Sequence, residues 1–319
     1  MSKTHNSKRQ FIKKSLLASG FLFSPISVFP KSPKEEKCRL HIFSKHLQFL
    51  ETYDELSDVL AEIGVDGGDL TVRPGGHVKP EKVEEQLPQL IEALNKNKLN
   101  NEMMTTAIRS SEDPLTEKIL RTASQFGIKY YRMGYLKYNK EEALATQLQN
   151  YKPTIWKLAK MNLDYKIHGA YQNHDGTNVG ASLWDLWELL KSTNAEWIGS
   201  QFDIRHATVE GAKSWKNDMY LLKDYIKTVA VKDFTWEKRE GKWKTKNMPI
   251  GEGMVDFKAF FKELKSLNFV GPISVHYEYP LPHKDKSLSK TEVRKKTIEV
   301  MKRDLNKIKE YMQEAGLAI

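Results

Sequence analysis

Short apolar, β-prone runs alternate with longer amphipathic runs from residue 39 to the end of the chain. The short runs predict strands over residues 39–43, 68–72, 103–108, 128–133, 164–171, 198–203, 226–234 and 272–277. Between them, apolar positions near 3.6 spacing predict helices over 47–63, 80–96, 113–126, 140–161, 182–193, 216–223, 257–267 and 290–315. Turn signals agree: Arg73-Pro74-Gly75-Gly76 closes the second strand, Pro80 suits a first helical turn, and Asp113-Pro114 opens another helix. About eight strand–helix units over ~280 residues have the size and rhythm of an α/β fold of the closed (β/α)8 TIM-barrel kind. The rival is a doubly wound open sheet, which usually shows a glycine-rich phosphate turn after its first strand. His41-Ile42-Phe43-Ser44-Lys45-His46 has no glycine there, and no Pro/Gly/Ser-rich linker divides the units.

The first 30 residues stand apart. Residues 1–14 are polar and basic, the short apolar run Ser15 to Phe23 follows, and Ser24, Pro25 and Pro30 break it. A basic segment before an apolar stretch too short to span a bilayer is the pattern of an export signal, although a disordered basic arm has the same composition. Ser7-Lys8-Arg9-Gln10-Phe11 also resembles a twin-arginine box, with Lys8 at the first arginine. The expectation is an export signal over 1–30, a barrel domain over 31–319, and a periplasmic or otherwise exported protein with no membrane contact after signal removal.

Composition narrows the partners. The formal net charge of +10 raises nucleic acid as a partner, yet the excess is partly concentrated at the two ends of the chain, and the tail lysines suit the solvated face of a helix. No nucleic-acid partner is expected. Cys38 is the only cysteine, which excludes a disulfide framework and any zinc site built on several thiolates.

In such barrels the reacting groups come from the C-terminal ends of the strands. Those positions hold Ser44, Lys45 and His46, Asp69, Arg73 and His77, Thr105 and Thr106, Arg132, His168, Tyr171 and Gln172 with His174, Asp203, Arg205 and His206, Lys232-Asp233, and His276 with Glu278. Most of the nine histidines fall there, where a random scatter would spread them over the whole chain. Asp203-Ile204-Arg205-His206 is the sharpest cluster: in an extended chain Asp203 and Arg205 share a face and His206 follows at the turn. A carboxylate there can ligate a cation and an imidazole can move a proton; an Asp–Arg structural pair with a capping His is the plainer alternative. Lys232 can polarise a carbonyl with Asp233 setting its position, or the two can form a buried pair. His276 and Glu278 share a face of the last strand, so one can ligate metal while the other acts as acid or base. Trp184, Trp187, Trp215, Trp236 and Trp243 lie in or beside loops, as stacking surfaces for sugar rings or as plain packing.

Over roughly residues 39–317 the chain resembles the sugar phosphate isomerase/epimerase family of xylose-isomerase-like barrels. The carriers are Gly64 to Leu70, Gln172-Asn173-His174, Asp203 to His206, Val231-Lys232-Asp233, Pro249-Ile250-Gly251-Glu252-Gly253-Met254-Val255-Asp256-Phe257, and Ser274 to Glu278. The resemblance implies one divalent ion (Mn, Mg, Zn or Co) held by a Glu, an Asp, a His and a second Glu, the glutamates shuttling a proton beside a carbonyl. Asp203 matches the aspartate and His206 a substrate-contacting histidine. Gln172 stands at the first glutamate, Ala230 at the ligand histidine and His276 at the last glutamate. A neutral amide is no base near neutral pH, and alanine offers no donor.

The expected site therefore has His174, His206, Lys232 and Glu278 as catalytic groups, and Arg132, Tyr171, Arg205 and Asp233 as substrate contacts. Asp203, His276 and Gln172 would anchor a cation or, failing that, substrate hydroxyls. The expected function is a carbohydrate isomerase or epimerase, or a lyase on an oxidised sugar, working by proton abstraction next to a carbonyl. The alternatives are a non-catalytic periplasmic sugar-binding barrel with a degenerate metal site and, on charge alone, an endonuclease-type barrel.

Overall fold

Successive residues of each strand point to opposite faces of the sheet, and both faces are buried. In the computed structural model, which describes residues 37–318, eight strands form a closed parallel barrel. They are β1 (Arg39–Phe43), β2 (Gly67–Val72), β3 (Asn100–Thr106), β4 (Tyr130–Arg132), β5 (His168–Gln172), β6 (Ile198–Asp203), β7 (Ile226–Val231) and, after an inserted hairpin, β10 (Pro272–Val275). Strand β10 lies between β7 and β1, with Ser274 opposite both Ala230 and His41, and so completes the ring. The export segment expected over 1–30 lies outside the described residues, and among those described no helix is long and apolar enough to cross a membrane.

The helices are α1 (Tyr53–Ile63), α2 (Val83–Lys96), α3 (Pro114–Gln125), α4 (Leu144–Tyr165), α5 (Leu183–Leu190), α6 (Ile204–Gly211), α7 (Trp215–Leu221), α8 (Phe257–Ser266) and α9 (Lys290–Glu314). Local chemistry fixes several ends. Thr52 and Glu55 form a capping box at α1, and Ser289 and Glu292 form one at α9. The α1 box explains why the helix starts at Tyr53, later than residue 47; Ser44–Leu47 is a separate 3-10 turn.

The apolar stripe packs outward: Leu40 and Ile42, Leu70 and Val72, Val229 and Val231 all join the hydrophobic core. The other stripe fills the barrel interior with buried polar groups, among them His41, Asp69, Gln172, Gln201, Asp203 and Ser274. Barrel interiors are usually filled by bulky branched apolar residues. A polar interior needs partners for every group, and it sets up the site.

Two departures from the sequence reading reshape the mouth. Strand β6 ends at Asp203, whose Oδ1 accepts the His206 N–H at 3.0 Å and caps α6. Arg205 and His206 thus lie on a helical turn, and the extended pairing of Asp203 with Arg205 is corrected. The strand expected over 226–234 stops at Val231; Asp233 begins an antiparallel hairpin, β8 (Asp233–Arg239) and β9 (Lys242–Met248). Its two-residue turn, Glu240-Gly241, has φ of 51° and 75° at the two positions, the left-handed pair that matches hairpin twist.

Candidate active site

The centre of the mouth is Asp203, fully buried at the end of β6. Its Oδ2 accepts the Gln172 Nε2–H at 2.7 Å and lies 3.1 Å from Lys232 Nζ. Strand register explains the lysine: Asp203 pairs with Ala230, whose methyl group leaves the space beside the carboxylate open, and Lys232 reaches back into it from just past β7. Burial pushes the Asp203 carboxyl up, but His206, Lys232 and the capping N–H outweigh it and the net shift is downward. His206 is itself driven down to about 4 by burial. It is neutral at neutral pH, so Lys232 is the charge that keeps Asp203 ionised there.

On one side of this pair, past β10, stand His276 and Glu278. Glu278 Oε1 lies 4.0 Å from His276 Nδ1 and 3.9 Å from His46 Nε2. Both Glu278 oxygens accept from Lys45 Nζ, at 3.1 and 3.0 Å. Burial raises the Glu278 carboxyl, yet its basic neighbours, Lys45 and Lys232 among them, bring it below the ordinary glutamate value. Burial keeps His46, at about 3, and His276 neutral. His276 Nδ1 is buried with no hydrogen-bond partner.

On the other side, past β5 and β6, the His174 and His206 rings lie 3.9 Å apart, tilted by 34°. Asp175 Oδ1 is 3.2 Å from His174 Nδ1 and 2.7 Å from His206 Nδ1, and Arg205 Nη1 donates to Asp175 Oδ2 at 2.6 Å. The His206 Nε2 edge faces Asp203 at 3.7 Å and is buried without a hydrogen bond. The mouth is therefore an ionised pair flanked by a carboxylate on one side and two imidazoles on the other.

The other expected residues divide. Arg132 closes the back of the site, donating to Gln172 Oε1 at 2.8 Å beside the Tyr135 hydroxyl, which donates to the same oxygen at 2.6 Å. Tyr171 is corrected as a substrate contact: strand alternation turns it outward, and its hydroxyl bridges Leu136 N and Val179 O at 2.8 and 2.9 Å. Asp233 is corrected likewise. Its carboxylate accepts N–H donors from Phe234, Gly251, Gly253 and Val255, between 2.8 and 3.1 Å, and so folds the Gly-Glu-Gly loop; it does not position Lys232. A Cβ at Gly253 would stand 2.2 Å from Asp233 Oδ1, which explains the glycine. Arg205 serves Asp175 and stacks over Phe234 at 5.1 Å. Tyr135, Asp175 and Asn247 escaped the sequence reading. Asn247 accepts from Arg205 at 3.4 Å and donates to Glu278 O at 3.3 Å across the mouth, but it sits on a hairpin that the apolar pattern did not reveal.

The donor set does not fit the cation that the resemblance implied. Gln172 gives its oxygen to Arg132 and Tyr135 and turns its NH2 to Asp203, Ala230 has no donor, and an ammonium already lies on Asp203. The expected ligand trio Asp203, His276 and Gln172 is corrected on those grounds. Two other trios bring ligand atoms together within 4.8 Å, His46–His276–Glu278 and His174–Asp175–His206. Each has a basic side chain on its carboxylate, and His46 Nε2 and His206 Nδ1 already accept the N–H groups of Tyr277 and Asp175.

Fold and site define a (β/α)8 TIM barrel with its ionisable groups gathered at the C-terminal mouth. A family model described as xylose isomerase-like TIM barrel matches residues 57–304, and the chain belongs to that family. No curated protein matches it in sequence. Among solved structures it is similar to the 3-keto-D-glucoside 4-epimerase of E. coli, at 12% identity and a TM-score of 0.65 over 86% of this chain and 100% of that one. It is also similar to the D-allulose 3-epimerase of Methylomonas sp. in complex with D-allulose, at 16% identity and a TM-score of 0.64 over 86% and 98%. The D-psicose 3-epimerase of Clostridium cellulolyticum H10 gives 9% identity and a TM-score of 0.62 over 86% and 99%. At these identities the likeness is one of fold.

Proposed function

We propose that the protein is a sugar isomerase or epimerase that moves a proton at the carbon beside a carbonyl. The carrying observation is the placing of proton-transfer groups on both sides of the Lys232–Asp203 pair, Glu278 on one and His174–His206 on the other. Lys232, held by Asp203, donates to the carbonyl oxygen and stabilises the enediolate that forms when the proton leaves. Glu278, ionised and backed by Lys45, accepts that proton. His206 or His174 delivers or takes a proton from the opposite side, which epimerisation requires. Gln172, Arg132 and Arg205 set the hydroxyls and the walls around them. A lyase on an oxidised sugar shares the first step. The epimerase neighbours support a carbohydrate substrate through their shared fold. No step runs through a metal, because an ammonium lies on Asp203 and Gln172 turns its NH2 to that carboxylate. An exported location belongs to the same proposal.

Incubation with D-allulose, D-tagatose and other ketoses in D2O, followed by proton NMR, tests it. Loss of the signal at a carbon next to the carbonyl in wild type, and its persistence with Glu278→Gln, is expected. Sugar binding with no exchange on any ketose would instead make the barrel a non-catalytic sugar-binding protein.

A further inference from the structure

The charges at the mouth do not balance. Lys45 pairs with Glu278, Lys232 with Asp203 and Arg205 with Asp175. Two guanidinium groups remain, Arg73 just past β2 and Arg132 at the end of β4, and among the described residues no carboxylate lies within ion-pair distance of either. Both lie over one ring: the Arg73 and Arg132 guanidinium carbons are 5.3 and 5.5 Å from the centre of Phe43. Lys45 Nζ approaches the same ring at 5.9 Å.

Asp69 acts on both guanidinium groups through space without reaching ion-pair distance; it is fully buried and already accepts the Ser274 and Thr105 hydroxyls at 2.6 and 2.8 Å. The histidines facing this space, His46 and His276, are neutral. Arg73 is pushed down by its own burial and by Arg132 beside it, as expected when like charges share a pocket. Arg132 is only 6% exposed, and its Nε–H is buried with no partner. Two unmatched cations, one with an unused buried donor, are costly unless a ligand meets them. Arg73 and Lys45 are half-exposed, so a ligand group can reach them from solvent.

We infer that the substrate carries a carboxylate, and that Arg73 and Arg132 bind it over Phe43. This rests on the reading of the barrel as a sugar isomerase or epimerase and names its substrate class as a sugar acid. The free edge of Arg132 supplies directed N–H donors of the kind that match a planar carboxylate, and Arg73 adds charge from the open side. Lys232 then faces the carbonyl end of the same molecule. The excess positive charge also draws an anionic sugar to the mouth and makes its binding depend on salt.

Calorimetric titration of the full chain with D-fructuronate, D-fructose and D-fructose 6-phosphate tests the inference. The acid is expected to bind at least about tenfold more tightly than the neutral ketose, with the preference shrinking as salt rises. Arg73→Met should cut the acid-to-neutral affinity ratio about tenfold, and Arg132→Lys, which keeps the charge but loses the fork, should cut it less. Thermal melts of both variants check that they fold; if Arg132→Lys does not, Arg73→Met decides alone. Equal affinity for acid and neutral sugar, an unchanged ratio in Arg73→Met, or tighter binding of the phosphate would overturn it. Deuterium exchange on fructose without an acid preference would remove this inference and leave the proposed reaction standing. No binding and no exchange with any of the three would remove both.

Discussion

Two acid–base pairs sit at opposite ends of the same barrel, and they are built differently. At the N-terminal end Arg39 holds Glu102 through both carboxylate oxygens, with His41 3.7 Å away and Asn100 beside it. None of these side chains leaves a buried polar atom without a partner. At the C-terminal end Lys232 holds Asp203 through a single oxygen, and Arg132 Nε, His206 Nε2 and His276 Nδ1 around it are all buried and unpartnered. A structural pair is closed, because unmet buried donors cost stability. The open pair keeps unmet groups where a ligand can meet them. Unpartnered buried atoms also occur deeper in the barrel, on His168, Ser200, Gln201 and Thr228, so the mouth is marked by their gathering around an ion pair at the C-terminal strand ends.

The upper pair is the one whose loss should matter most to activity. Lys232→Met combined with Asp203→Asn removes both charges and avoids stranding one, so the melting temperature should change little, while α-proton exchange should fall about 1,000-fold. Exchange retained within tenfold would make the pair structural like its counterpart below. Glu278→Gln should lower exchange about 100-fold, with sugar affinity altered far less; equal losses of turnover and affinity would mean it only binds.

The pH dependence sharpens the contrast further. Because the Glu278 carboxyl is held below its ordinary 4.5, initial rates on folded protein should stay level down to about pH 5 and drop only below it. A rate that already falls well above pH 5 would contradict Glu278 as the base. Stability is lost in the same direction but in a higher pH window. His206 at about 4 and His46 at about 3 are depressed in the fold, so the unfolded chain binds more protons below its own value of about 6.5. The melting temperature should therefore fall progressively from pH 6.5 toward 4, and a flat profile there would contradict neutral buried histidines. The smallest effect on activity belongs to the lower pair: Glu102→Gln should cost about 2 kcal/mol of unfolding free energy, measured by denaturant titration, and leave exchange within twofold. A larger loss of exchange would erase the distinction between the two ends.

The barrel was legible because its signal is periodic. β1 and β6 fall on the predicted residues, and the eight-unit rhythm predicted the closed sheet. What was not legible depended on side chains reaching across space. Asp203 reads as the last residue of a strand, and nothing local says that it also caps α6. The run from 226 to 234 looks like one strand because Lys232 breaks the ladder only by turning toward Asp203, a residue on another strand. For the site, strand-end positions and the cluster of histidines brought forward Asp203, His206, Lys232, His276 and Glu278. The partners were misassigned: Lys232 was read with Asp233, its neighbour in sequence, whereas Asp233 is taken by loop N–H groups and Lys232 by the carboxylate across the gap that Ala230 leaves.

We propose that Lys232, in place of a bound cation, is the electrophile beside Asp203. The most direct test is the rate of deuterium incorporation by protein stripped with chelator, measured with and without added Mn2+. The same rate under both conditions is predicted. Exchange lost on stripping and restored by the metal would place a cation at the mouth and contradict the account.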